Sequence, residues 1–188
     1  PFRAYAQLVI GFLIFGIALQ HTGGGRFFIN LAFALFGHVR GGSAKVAIVS
    51  SGLMGSMSGS VITNVLTTGQ MTIPAMKKSG MEKEYAAGVE ACASTGGVLL
   101  PPIMGSTAFV METFLNVAYT TVALAATIPA LLYFFGLFVQ VDAYAARKGL
   151  VGTPRDELPS LSGTMKQGWF YIAAFVVLVF LLVYLQRE

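Results

Sequence analysis

Residues 54–69 read MGSMSGSVITNVLTTG, a run with three glycines and six hydroxyl side chains but no charge. Glycine and β-branched or hydroxyl residues weaken a helix. The run nevertheless sits between apolar segments, in a chain that is 55% hydrophobic and only 11% charged. An ordinary soluble domain carries roughly 25% charged residues. The composition is that of a membrane protein, and the polar run therefore reads as a lining and not as a lipid-facing span.

The charges around this run fix its topology. No Asp, Glu, Lys or Arg lies between Lys45 and Lys77, so the segment 44–80 has basic residues at both ends. A single crossing would put those ends on opposite sides of the bilayer. Two short helices meeting at Ser58-Gly59-Ser60 would keep both on the cytoplasmic side, as the positive-inside rule prefers. The expectation is a re-entrant helical hairpin.

Outward from the hairpin, 81–117 is a second apolar stretch, broken by Thr95-Gly-Gly-Val-Leu-Leu-Pro-Pro102. Paired glycines and prolines remove helix propensity and backbone donors together, so a discontinuous transmembrane helix is expected. Residues 1–25 read as a transmembrane helix closed by Gly23-Gly-Gly25. The apolar stretch Phe27 to Val39, bounded by Arg26 and Arg40, is too short to cross a core of about 30 Å, so residues 26–43 read as an interfacial arm helix, with Phe28, Leu31, Leu35 and Phe36 facing lipid or protein. Spans are expected over 118–141 and 168–188, joined by a cytoplasmic loop over 142–167 that holds seven charges. With the hairpin ends and this loop inside, Arg3 and Glu112 fall outside. The fold class is an all-α membrane protein; no alternation suits a barrel.

Several function classes drop out. The net charge of +4 resides in residues that mark loops, so no nucleic-acid partner is implied. A single cysteine, Cys92, excludes an internal disulfide and offers no metal set. Gly55-Ser-Met-Ser-Gly59 puts Met57 at the centre of what would be a nucleophile elbow, and no glycine run ends in Gly-Lys-Ser/Thr. An intramembrane serine hydrolase would need Ser56 or Ser58 against His38, across a surface loop. His21 and His38 read as surface positions, and Met54, Met57, Met71, Met76 and Met104 as packing. No catalytic residue is expected.

The two interruptions carry the chemistry. Irregular backbone at membrane depth survives only against protein or a water-filled cavity, so the two should meet. Paired broken helices near the midplane point to a secondary-transporter site. Ser58, Ser60, Thr63 and Asn64, with the carbonyls of Gly97, Leu100 and Pro102, offer oxygen ligands suited to a hard cation such as sodium. Ser56, Asn64, Ser94, Thr95 and Gly96 are expected along the solute cavity. Glu90 reads as a carboxylate near the cytoplasmic interface with a coupling or gating role. The plainer reading, Gly55-x-x-x-Gly59 as a helix-packing face, explains the first interruption but not the second. A passive channel or pore would also line water with broken helices.

The order Arg40-Gly-Gly-Ser-Ala-Lys-Val46, Gly55-Ser-Met-Ser-Gly-Ser-Val-Ile-Thr-Asn64, Thr67-Thr-Gly69, Ile73-Pro-Ala-Met-Lys77, Gly88-Val-Glu-Ala-Cys-Ala-Ser-Thr-Gly-Gly97, Pro101-Pro-Ile-Met-Gly105 and Glu157-Leu-Pro-Ser160 resembles the large membrane subunit of the TRAP transporters. Thr-Thr-Gly, Glu-Ala-x-Ala-Ser-Thr-Gly-Gly and Glu-Leu-Pro-Ser resemble its TAXI branch, in which the membrane subunits are commonly fused. The resemblance implies half of an inverted-repeat elevator permease, multi-pass in the cell inner membrane. It implies import of a carboxylate solute delivered by an extracytoplasmic TAXI-type binding protein. The implied partners are the remaining half of the permease and a small membrane subunit or its fused equivalent.

The same resemblance implies no cofactor beyond sodium as coupling ion, held at Ser58 and the carbonyls of Gly97, Leu100 and Pro102. Val61 departs from the pattern, since many relatives have serine there. That departure leaves proton coupling open as the alternative.

Overall fold

The computed structural model describes residues 10–11, 14–19 and 21–185. Among the described residues the regular structure is helical, with no strand. Residues 1–9, 12–13 and 20 of the expected N-terminal span lie outside them. Residues 14–19 are helical and close where the Thr22 N–H and hydroxyl both donate to the Ala18 carbonyl, at 3.0 and 2.8 Å.

Helix α1, Gly24–Phe36, follows Gly23, whose φ of 101° is left-handed and suits glycine. Read from the sequence, this helix lies in the interface facing lipid or protein. The structure gives its inner face to protein: Phe27, Phe28 and Ile29 are buried, whereas Leu35 is exposed. Phe28 joins Met54, Met57, Ile103 and Tyr171 in one apolar cluster.

Helix α2, Gly42–Ser58, is the centre of the molecule. Only Val49 and Leu53 along it escape full burial. A helix buried on every side needs small residues to let several neighbours approach. Its Ser, Gly and Ala content meets that need. It reverses at Gly59, in the left-handed region at φ 59°, into α3, Val61–Lys78. The hairpin also closes at its base, where the Ser43 and Ser79 hydroxyls lie 2.6 Å apart. Both ends of the 44–80 segment thus come together.

Helices α4, Lys83–Gly97, and α5, Ser106–Leu115, are separated by an irregular turn. The turn satisfies part of its own backbone, with Gly105 N–H donating to the Val98 carbonyl at 2.9 Å and Leu99 N–H to that of Gly96 at 3.0 Å. Tyr119, fully buried and stacked on Phe109, donates its hydroxyl to the carbonyls of Pro102 and Ile103, each at 2.7 Å. A tyrosine outside the break therefore caps it.

Helix α6, Tyr119–Arg147, and α7, Leu161–Leu185, follow, with a short 3-10 turn at Arg155–Glu157 between them. Among the described residues two stretches, Tyr119–Arg147 and Arg155–Phe180, are long and apolar enough to cross a membrane. Both intrude on the loop expected over 142–167. The extension of α6 has a physical cause: Asp142 pairs with Arg40 and with Lys45, the latter at 2.6 Å, and Ala145 packs on Gly41. Helix α7 is kinked at Gly168, where a Cβ would overlap the Phe27 ring. On the loop side, Lys148 meets Glu82 at 2.7 Å, a bond that holds the lysine ammonium pKa above its ordinary value.

Candidate functional site

The two interruptions touch. Ile103 N–H, in the α4–α5 turn, donates to the Ser56 carbonyl at 3.1 Å, near the hairpin tip. A Cβ on Gly59 would overlap the Met104 carbonyl oxygen. One turn below, α2 and α4 cross through glycines: a Cβ on Gly55 would sit 2.6 Å from the Gly97 Cα, and one on Gly97 2.6 Å from the Ser51 carbonyl oxygen. Only glycine allows backbones to come this close.

Asn64 lies beside this crossing and is fully buried. Its Nδ2 donates to the Ser51 carbonyl at 2.8 Å. A carbonyl accepts only, so this bond fixes the amide orientation. The other amide atom, Oδ1, is buried without a hydrogen-bond partner. Such an orphan is rare, because leaving a buried acceptor unmade costs about 1–3 kcal/mol. An unpaired amide oxygen is the ligand type a hard cation takes.

The other expected cation ligands are differently engaged. Ser58 and Ser60 serve the turn: the Ser58 hydroxyl accepts from Ser60 N–H at 3.4 Å, and the Ser60 hydroxyl accepts from the Thr63 N–H and hydroxyl at 3.4 and 3.1 Å, capping α3. The Gly97 carbonyl accepts from Leu100 N–H at 3.3 Å, and that of Pro102 from Tyr119. The Leu100 side chain packs against Gly52.

The expected solute-cavity residues are not gathered in one place. Asn64 is at the crossing, and Ser56 donates back to the Leu53 carbonyl at 2.9 Å. Ser94 faces Glu90 at 3.2 Å, while Thr95 is exposed and donates to the Ala91 carbonyl at 2.8 Å. Gly96 lies under the Tyr133 ring. Helical geometry explains the split, since Ser94, Thr95 and Gly96 are about 100° apart around the axis.

Glu90 differs most from its sequence reading. It is fully buried in protein, where α2, α3 and α4 meet. Ser51 donates to Oε1 at 2.9 Å and Ser94 at 3.2 Å, Thr68 donates to Oε1, and Thr72 donates to Oε2 at 2.5 Å. Among the described residues no cation pairs with it. Ser51, Thr68 and Thr72 escape a reading that attends to the tip alone. Their signal is spacing: Asn64, Thr68 and Thr72 recur every four residues and form one polar stripe on α3.

Comparison with known proteins adds to this geometry. The profile of the family described as "Tripartite ATP-independent periplasmic transporter, DctM component" matches residues 1–188. The chain is 32% identical over 179 residues to the C4-dicarboxylate TRAP transporter large permease protein DctM of Pseudomonas aeruginosa, covering 93% of this chain and 41% of that protein. It is 33% identical over 151 residues to the protein of the same name from Vibrio cholerae, covering 80% and 33%. It is 29% identical over 171 residues to the sialic acid TRAP transporter permease protein SiaT of Haemophilus influenzae, covering 90% and 27%. These relatives are transporter permeases, not enzymes, and the chain spans about two fifths of their length or less.

Proposed function

Because the chain belongs to the DctM component family of the tripartite ATP-independent periplasmic transporters, a membrane-embedded family, we propose that it forms the hairpin-bearing part of a permease for secondary transport of a carboxylate solute. The contact between hairpin tip and helix break carries this reading. Two discontinuities meeting inside a helical bundle are the arrangement in which secondary transporters hold ions and solutes. The names of the relatives, which specify C4-dicarboxylates and sialic acid, support a carboxylate. Their description as periplasmic and tripartite supports a periplasmic binding protein, a small membrane subunit and residence in the inner membrane. The Thr67-Thr-Gly69 and Glu90–Gly97 motifs favour the TAXI-type branch with fused subunits.

Sodium is the coupling ion in this reading, and the orphaned Asn64 Oδ1 is its anchor. Gly97 forms this crossing with Gly55, and Ser58 ends α2 three residues beyond Gly55. Sodium neutralises the oriented oxygens there, and the hairpin holds one arrangement when it is bound and another when it is not. The hairpin is then re-entrant, and it moves with its transport domain in an elevator step.

The test uses the complete permease with its small subunit and binding protein in proteoliposomes. Labelled succinate and sialic acid serve as probes under an inward sodium gradient. Accumulation of either that depends on the binding protein is expected, and Asn64→Ala should abolish its sodium dependence. Solute flux without the binding protein would indicate a pore and overturn the proposal. Sodium-driven uptake unchanged in Asn64→Ala would remove the proposed anchor.

A further inference from the structure

The buried carboxylate of Glu90 has a use beyond the sodium and solute sites. We propose that Glu90, enclosed by Ser51, Thr68, Thr72 and Ser94, is a proton-binding site whose occupancy is transmitted through Ser51 and Thr68 to Asn64. The inference rests on the reading of the protein as an ion-coupled permease.

Hydroxyls are the first ground. A buried carboxylate that serves only as structure is ordinarily paired with a cation. Glu90 is held by groups that both donate and accept. Thr68 has a second acceptor in the Asn64 carbonyl at 2.8 Å, and Thr72 has one in the Thr68 carbonyl at 3.0 Å. In the ionised state the hydroxyl protons point at the carboxylate. When a proton from water binds Oε2, the new O–H donates to the Thr72 oxygen, and the Thr72 proton turns to the Thr68 carbonyl. Loss of that proton to water reverses both. No donor or acceptor is stranded in either state.

Connection is the second ground. Ser51 contacts Glu90 through its hydroxyl and Asn64 through its carbonyl, at 2.9 and 2.8 Å. Thr68 likewise bonds Glu90 and the Asn64 carbonyl. Two residues thus span both sites. Because the carboxyl is sealed, proton exchange with water requires α4 to part from the hairpin, and that movement also opens the Asn64 crossing.

Other ionisable groups on the packed elements stand apart. Lys45 on α2 is roughly 9 Å along the axis from Ser51, and Lys77 and Lys78 are roughly 8–9 Å from Thr72. On α4 itself, Lys83 and Glu84 lie at the helix start, Tyr85 stacks on Tyr144 of α6, and Cys92 is exposed. On α6, Asp142 is engaged by Arg40 and Lys45, Tyr133 donates to the Cys92 carbonyl, and Arg147 closes the helix. None of these is a hydrogen-bond partner of Glu90.

The test uses the full-length permease. Infrared difference spectra between acidic and alkaline buffer should show the carbonyl stretch of a neutral buried carboxyl, absent in Glu90→Gln and displaced in Thr72→Val. In proteoliposomes with the binding protein and a fixed inward sodium gradient, the extra succinate accumulation that an inward proton gradient adds, relative to succinate exchange, should fall about 5- to 150-fold in Glu90→Gln, the span of ordinary coupling free energies. Superimposable spectra of wild type and Glu90→Gln would overturn the proposal, and so would an unchanged ratio. If wild type exchanges no solute, the transport reading fails and the infrared result alone decides Glu90. If Glu90→Gln does not fold, the Thr72→Val spectrum decides, and an undisplaced band refutes the site.

Discussion

Replacing Gly97 with alanine tests the glycine crossing with the smallest available change. The added Cβ would lie 2.6 Å from the Ser51 carbonyl oxygen and 2.9 Å from the Gly55 Cα, both backbone atoms that cannot rotate away. Restoring ordinary contact requires α2 and α4 to part by roughly 0.8 Å. Overpacking of this kind costs about 1–3 kcal/mol. Alanine returns up to about 1 kcal/mol through helix propensity. The net loss should be about 1–2 kcal/mol, a factor of roughly 5–30 in the folded-to-unfolded ratio.

Gly88 supplies the control, because it lies in the same helix with open space where a Cβ would go. Gly88→Ala should be neutral or slightly stabilising. Thermal unfolding of the full-length permease in lipid nanodiscs reads stability, and uptake reads function. Gly97→Ala should unfold earlier than Gly88→Ala and lose sodium-driven uptake, since the added methyl would also crowd the Asn64 amide, with Nδ2 only 3.2 Å away. Equal midpoints for the two variants would refute a backbone-to-backbone crossing at Gly97.

Two further outcomes follow from the same packing. Tyr119→Phe strips the hydroxyl that serves the Pro102 and Ile103 carbonyls and should cost about 1–3 kcal/mol, read as faster backbone hydrogen exchange across residues 98–105; unchanged exchange would show that the turn holds without its cap. Asp142→Asn leaves Lys45, whose side chain is only 9% exposed, without its carboxylate. It should lower the unfolding midpoint more than Lys148→Met, which breaks only the exposed pair with Glu82, and salt should weaken the second effect but not the first.

The hairpin and the break were legible because each is written locally. Glycines and hydroxyls near Gly59, lysines at both ends of 44–80, and Gly96-Gly97 with Pro101-Pro102 each act on their own stretch of backbone. The contact between them was legible by elimination, since irregular backbone cannot face lipid. Less could be read where the outcome depends on which faces meet. Ser58 and Ser60 look like ligands in sequence, yet a tight reversal needs caps and takes their hydroxyls first. Glu90 looks interfacial by its distance from Lys83, but α2 and α3 cover it from the side, and no helix ruler reports lateral cover. Arm helix α1 has the length of an interfacial helix, and only the Phe28 contacts with α2 show what it packs on. The orphaned Asn64 oxygen is a property of three segments at once, so one segment's pattern cannot disclose it.

Asp142 gathers two cations from opposite sides of the α1–α2 junction: Arg40 before Gly41 and Lys45 after it. Lys45 also rests over the Phe138 ring, 5.4 Å from its centroid, so the foot of α2 is riveted to α6 by charge and by an aromatic face together. A displacement that slid the hairpin past α6 would tear a nearly enclosed ammonium from both supports. A hairpin movement that keeps both supports carries α6 along as cargo, and its compliance then resides beyond the end of α6, in the glycine-bearing connection that leads into α7.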